Sequence, residues 1–204
     1  MKFAIKIFEF KGIPVYLKYW FFLLFVWLNP IYVISIFISV LLHEIAHAAM
    51  ARKLGYDVTD IQIDVFHGSA NMNLDIVTPK HMLLIALSGP WVNITLTSVF
   101  LFLSSFGINN IFIHSMLVVN FIFFLFNIIP IFPLDGGRIF RSALIIKTGN
   151  EDKSIRISAF VSLVLSILLL VFYIYNFSIL MIFFSIIFIL YSLMELGWIK
   201  KPID

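Results

Sequence analysis

The chain has 204 residues, 62% of them hydrophobic and 12% charged, with a formal net charge of +3 and no cysteine. An ordinary soluble domain is nearer half apolar and a quarter charged, and so much Phe, Ile and Leu leaves too little polar surface to cover a water-soluble core. A soluble enzyme, a disulfide scaffold and a thiolate metal site are thereby excluded, and the surplus of Lys and Arg belongs with the cytoplasmic loops of a membrane protein, not with nucleic acid.

The first apolar run, about 17–28, follows a basic, semi-polar stretch and lacks a small-residue cleavage site, so a span is expected there and not a cleavable signal. It is short, and Asn29-Pro30 forces a turn before the second run, 31–50. The second run carries His43, Glu44 and His47 in the order HEIAH. Ionisable groups inside a span cost about 2.5–3.5 kcal/mol each, so they mark function. On a helix the two histidines lie one turn apart on one face, where both imidazoles can reach one metal ion. Glu44 projects beside them, placed to take a proton from metal-activated water.

Between 57 and 77, apolar and polar residues alternate through Val58, Ile61, Ile63 and Val65, and again through Met72, Leu74 and Ile76, around the turn residues 67–71. The alternation predicts a β-hairpin on the cytoplasmic side. The third run, 82–106, carries Ser88-Gly89-Pro90-Trp91-Val92-Asn93. The fourth, 111–132, leads into NIIPIFPLDGGR at 127–138. There Pro130 and Pro133 interrupt the helix, and Gly136 and Gly137 let the chain pass close to a neighbour. Such irregular backbone is tolerated at membrane depth only where protein buries it or where it lines a wet cavity.

Runs at 157–175 and 177–196 complete an all-α polytopic membrane protein of about six transmembrane helices, a single domain over 1–204. All 14 Lys and Arg residues fall in the segments on one side of this arrangement, which places both termini in the cytoplasm. Tyr16, Tyr19, Trp20, Tyr191 and Trp198 lie near the expected interfaces, where amphipathic rings settle. His81 and His114 are expected at solvated span ends. Glu195 is expected to meet Lys200 or water and receives no role.

Two histidines leave zinc one short of the usual catalytic set of three protein ligands and a water. Asp135 lies three residues before Arg138, and His47 five before Arg52, so both sit at one level just inside the cytoplasmic interface at about 1.5 Å per helical residue. Asp135 could instead cap the following helix or pair with Arg138, and His67 is a rival ligand or simply a turn residue. A metal-ion transporter, or a non-catalytic membrane partner, could also use such a cluster.

HEIAH at 43–47, SGPWVN at 88–93 and NIIPIFPLDGGR at 127–138, in that order, resemble the site-2 protease family of intramembrane zinc metalloproteases over most of the chain. The resemblance implies one zinc ion per chain, bound by His43, His47 and Asp135, with Glu44 as general base. It implies that Asn127 helps to place the substrate; Asn93 either shares that task or packs helices together. The implied substrate is a transmembrane or membrane-associated protein, cleaved in or near its membrane segment, with a regulatory membrane partner or a homo-oligomer as further company. The length leaves no room for the PDZ or CBS domain of many members, so the chain most resembles the short sporulation-factor-processing type. It departs from that branch at His67-Gly68-Ser69, where a Gly-Gly turn is often found. The hairpin would either pair with an unwound substrate as an added strand or cover the site.

Overall fold

The structure, a computed structural model, describes residues 4–63, 68–72 and 77–199. Two compact units divide the chain: Met1–Val77 with Leu87–Leu125, and Thr78–Ala86 with Phe126–Asp204.

The first unit opens with strands β1 (Ala4–Phe10) and β2 (Ile13–Lys18), paired antiparallel. Lys11 and Gly12 between them both have positive φ, 48° and 81°, the two-residue turn whose twist matches that of flanking strands. β2 pairs in parallel with β3 (Val58–Ile63), and β3 antiparallel with β4 (Gly68–Met72), giving the order β1-β2-β3-β4. β3 and β4 fall inside the segment read as a hairpin, with Ile63 opposite Gly68. The sheet is thus larger than a lone hairpin, and the fold is not all-α. His67 lies outside the described residues.

The first expected span is also corrected. Residues 17–28 comprise the end of β2, a 3-10 turn at Tyr19–Leu23 and the single-turn helix α1 (Leu24–Trp27), not a membrane-crossing helix. Extended residues advance about 3.3 Å each against 1.5 Å in a helix, so a short run covers distance without a long helix. Its apolar side chains are used locally. Ile13, Val15 and Phe21 join Val33, Val40 and Ala48 in one core, with Phe21 edge-on to Phe37 at 5.9 Å.

Helix α2 (Pro30–Lys53) is rich in β-branched and aromatic residues, weak helix formers in water. In lipid that preference is overridden, because every backbone polar group must be paired within the segment. Its ends are marked by sequence: the Asn29 side chain accepts from the Ile31 amide, Pro30 takes the first turn, and Arg52 and Lys53 complement the C-terminal dipole. From the first unit's part of α3 (Pro79–Ser105), the chain turns into α4 (Ile111–Ile128). Ser35 of α2 meets Ser115 of α4 at 2.6 Å, a buried hydroxyl pair of the kind that joins helices where the hydrophobic effect cannot.

The second unit holds α5 (Asp135–Thr148), α6 (Glu151–Tyr175) and α7 (Ile179–Glu195). Gly149, at φ 65°, ends α5, and Asn150 caps α6 by accepting from the Lys153 amide. Ser162 and Ser192 bridge α6 and α7 at 2.7 Å. Glu195 meets an arginine: Arg141 of α5 donates to it at 2.5 Å and lies over the Phe132 ring, 4.2 Å from its centroid, while Lys200 lies outside the described residues. Glu195→Gln would remove the negative charge facing this partly buried guanidinium, at a cost of about 2 kcal/mol. Thermal unfolding in detergent should show a melting temperature lower by roughly 5 °C; an unchanged transition would mean the pair contributes nothing.

Among the described residues, α2, α3, α4 and α6 are long and apolar enough to cross a bilayer, and α7 is a shorter apolar helix. The expectation of six transmembrane helices is corrected accordingly, while the multi-pass membrane character holds.

Candidate metal centre

His43 and His47 share a buried face of α2, and their Nε2 atoms stand 3.0 Å apart with the rings nearly perpendicular. Two nitrogens bound to one tetrahedral zinc at 2.0–2.1 Å would be about 3.3 Å apart, so the pair already has the spacing of two ligands to one ion. The outer nitrogens are both engaged. His43 Nδ1 lies 2.5 Å from Asn93 Oδ1, and His47 Nδ1 lies 3.3 Å from the Ser88 hydroxyl. With each Nδ1 carrying the proton, both Nε2 lone pairs face the same point.

Gly89 explains how α3 comes so close. A Cβ there would stand 2.6 Å from the His43 Cε1 and Nε2 atoms, and would collide with His47 Nε2 as well. The following Pro90 lies inside the helix, where it removes one backbone donor and loosens the local ladder. The SGPWVN block is therefore a cradle for two imidazoles: Ser88 and Asn93 grip them, and Gly89 leaves the space between. Asn93 is fully buried, with its amide engaged by His43 and Asn120, so both its ends are spent inside the protein. Glu44, beside His43, is 5% exposed.

Asp135 opens α5 in the second unit and is buried. Its turn is built by the glycines that follow. A Cβ on Gly136 would run into the Ile129 carbonyl, and one on Gly137 would stand 2.9 Å from the Ile131 carbonyl, so the LDGG backbone packs flat on residues 129–131. The Phe132 amide donates to Ser162 Oγ at 2.9 Å, pinning the turn to α6. Asp135 is the first-turn acid of α5, where the helix dipole favours a carboxylate; the N-cap is Leu134, with no side-chain capping bond, so the capping alternative is not what opens this helix. Asn127 is half-buried near the end of α4.

Within the first unit His43 and His47 form a buried pair of metal-ligating side chains, and the second unit carries the buried carboxylate of Asp135. Two imidazoles and a carboxylate are donors of the kinds that suit zinc. Sequence reasoning missed Ser88 and Asn120 as supports of the imidazole pair. Their signal is tertiary: Ser88 stands 41 residues from His47, and Asn120 stands 27 from Asn93.

A multi-pass apolar chain with a buried His–Glu/His pair and an LDG aspartate has the makings of a membrane-embedded metallopeptidase. The chain belongs to peptidase family M50, whose sequence model matches residues 31–112 and 104–172. It is similar to the zinc metalloprotease MJ0392 of Methanocaldococcus jannaschii, 32% identical over 91% of this chain and 58% of the relative. A putative zinc metalloprotease of Synechocystis, sll0528, is 32% identical over 65% of this chain and 36% of its own length. The chain thus spans less than two thirds of the curated relatives it matches. The solved site-2 protease from M. jannaschii superposes with a TM-score of 0.72 at 27% identity, covering 99% of both chains.

Proposed function

We propose that this chain is an intramembrane zinc metalloprotease that hydrolyses a peptide bond in or near a transmembrane segment of a membrane-protein substrate. The cradled pair His43 and His47 carries the reading, and the relatives named as zinc metalloproteases support it. In this reading His43, His47 and Asp135 hold one zinc ion. When bound, zinc supplies Lewis acidity, polarising a carbonyl and lowering the pKa of a water toward 7.

The rest is done by the chain. Glu44 takes the proton of the attacking water and returns it to the leaving amine. Asn93 and Ser88 hold the imidazoles, so that no reorganisation is needed when charge develops. Asn127 orients the extended substrate. The substrate helix must unwind first, because its carbonyls are otherwise committed to internal hydrogen bonds, and the β3–β4 hairpin offers either a strand to pair with or a cover. Both termini face the cytoplasm, from which water reaches the buried ligands. A regulatory membrane partner or a second copy of the chain would control access.

The test is metal analysis of the full chain purified in detergent. One zinc per chain is expected, together with cleavage of a transmembrane substrate in vesicles that stops on chelation. Asp135→Ala should lower zinc occupancy at least tenfold and stop cleavage. Full zinc retention in that variant would remove Asp135 from the ligand set.

A further inference from the structure

Behind His43 runs a line of buried amides that ends on a backbone carbonyl. His43 Nδ1 meets Asn93 Oδ1 at 2.5 Å, Asn93 Nδ2 meets Asn120 Oδ1 at 2.9 Å, and Asn120 Nδ2 meets the Met116 carbonyl at 2.8 Å. Both asparagines are 0% exposed. A carbonyl can only accept, so the Asn120 amide nitrogen must face Met116, which turns its oxygen toward Asn93. That oxygen can only accept as well, so Asn93 must present its NH2 to Asn120 and its own oxygen to His43. The neutral imidazole is left no choice of tautomer: Nδ1 carries the proton, and Nε2 keeps its lone pair. Reversing either amide would set oxygen against oxygen or NH2 against the protonated ring nitrogen among buried side chains, at a cost of about 1–3 kcal/mol for each unsatisfied group.

We propose that Asn120, through Asn93, fixes the tautomer of His43 and so keeps its Nε2 ready for metal. Asn120 is then a positioning residue two side chains away from the ion. The Ser88 hydroxyl beside His47 can donate or accept and is compatible with either tautomer. The amide relay runs to His43. It lies in α3 and α4 of the first unit, and its consequence for zinc rests on the metal-binding reading above.

The experiment uses the full chain in detergent, with zinc affinity measured by chelator competition and the His43 tautomer read from imidazole 15N resonances of metal-stripped protein. The native ring should be almost wholly in the Nδ1–H form. Asn120→Leu, close in size but unable to orient Asn93, should mix the tautomers and weaken zinc binding about 10- to 100-fold. Adding Asn93→Asp should restore both, because a carboxylate accepts from His43 whichever way it faces. Loss of packing alone would not be repaired that way. Native affinity in Asn120→Leu, or no recovery in the double variant, would overturn the relay. If the native chain takes up no zinc, the metal reading fails, and the resonances still decide: a native His43 not held as Nδ1–H overturns the relay without any substitution.

Discussion

Glu44→Gln should bind zinc within about threefold of the native chain and lose roughly a thousandfold in cleavage rate, inside the usual range for a general acid–base group. The amide has nearly the same shape as the carboxylate, so the α2 helix and its two imidazoles stay where they are. What disappears is the ability to accept a proton from water and return it to the leaving amine. Zinc content of the purified variant and cleavage of a transmembrane substrate in vesicles measure the two separately. A chain that only carried or stored metal would behave alike with either residue, so this substitution also tests the transporter reading. Cleavage at the native rate would sink the mechanism, and loss of zinc would make Glu44 a ligand instead of a base.

The parts of this site that could be read in sequence are those with a local period. HEIAH is legible because a chain this apolar must be helical in lipid, and a helix puts residues four apart on one face. Asp135 is proposed from a count of residues to Arg138. β4 (Gly68–Met72) falls on the residues read as the turn, whereas β3 was reachable through its alternation. The N-terminal strands were not. Lys6, Glu9 and Lys11 interrupt their apolar pattern, and Lys11-Gly12 is a weaker turn signal than Asn-Gly. Helix α5 was hidden because two prolines and two glycines precede or open it, so the segment reads as a break. The Arg141–Glu195 pair, 54 residues apart, and the Asn93–Asn120 contact have no sequence periodicity at all. Such contacts exist only once helices have packed, and buried polar networks are where packing matters most.

Gly89→Ala should weaken zinc binding by about 100-fold, some 2.7 kcal/mol, for the addition of one methyl group. The new Cβ would stand 2.6 Å from His43 Nε2 and nearer still to His47 Nε2, closer than carbon and nitrogen can approach without bonding. A flexible side chain could move aside, but neither ring is free to do so. His43 is held through Nδ1 by Asn93 and His47 by Ser88, both on α3 within four residues of the new methyl. Relief must come from separating α3 from α2, or from turning the rings away from their shared point, and either change breaks the ligand pair. The fold has other anchors, such as the Ser35–Ser115 bridge and the core around Val15 and Ile61, so the melting temperature should fall by only a few degrees. Metal affinity and thermal unfolding of one preparation therefore separate a spoiled site from a spoiled protein. Native zinc affinity in Gly89→Ala would show that the rings can yield, and that the close approach at this glycine is not what the ligand pair requires.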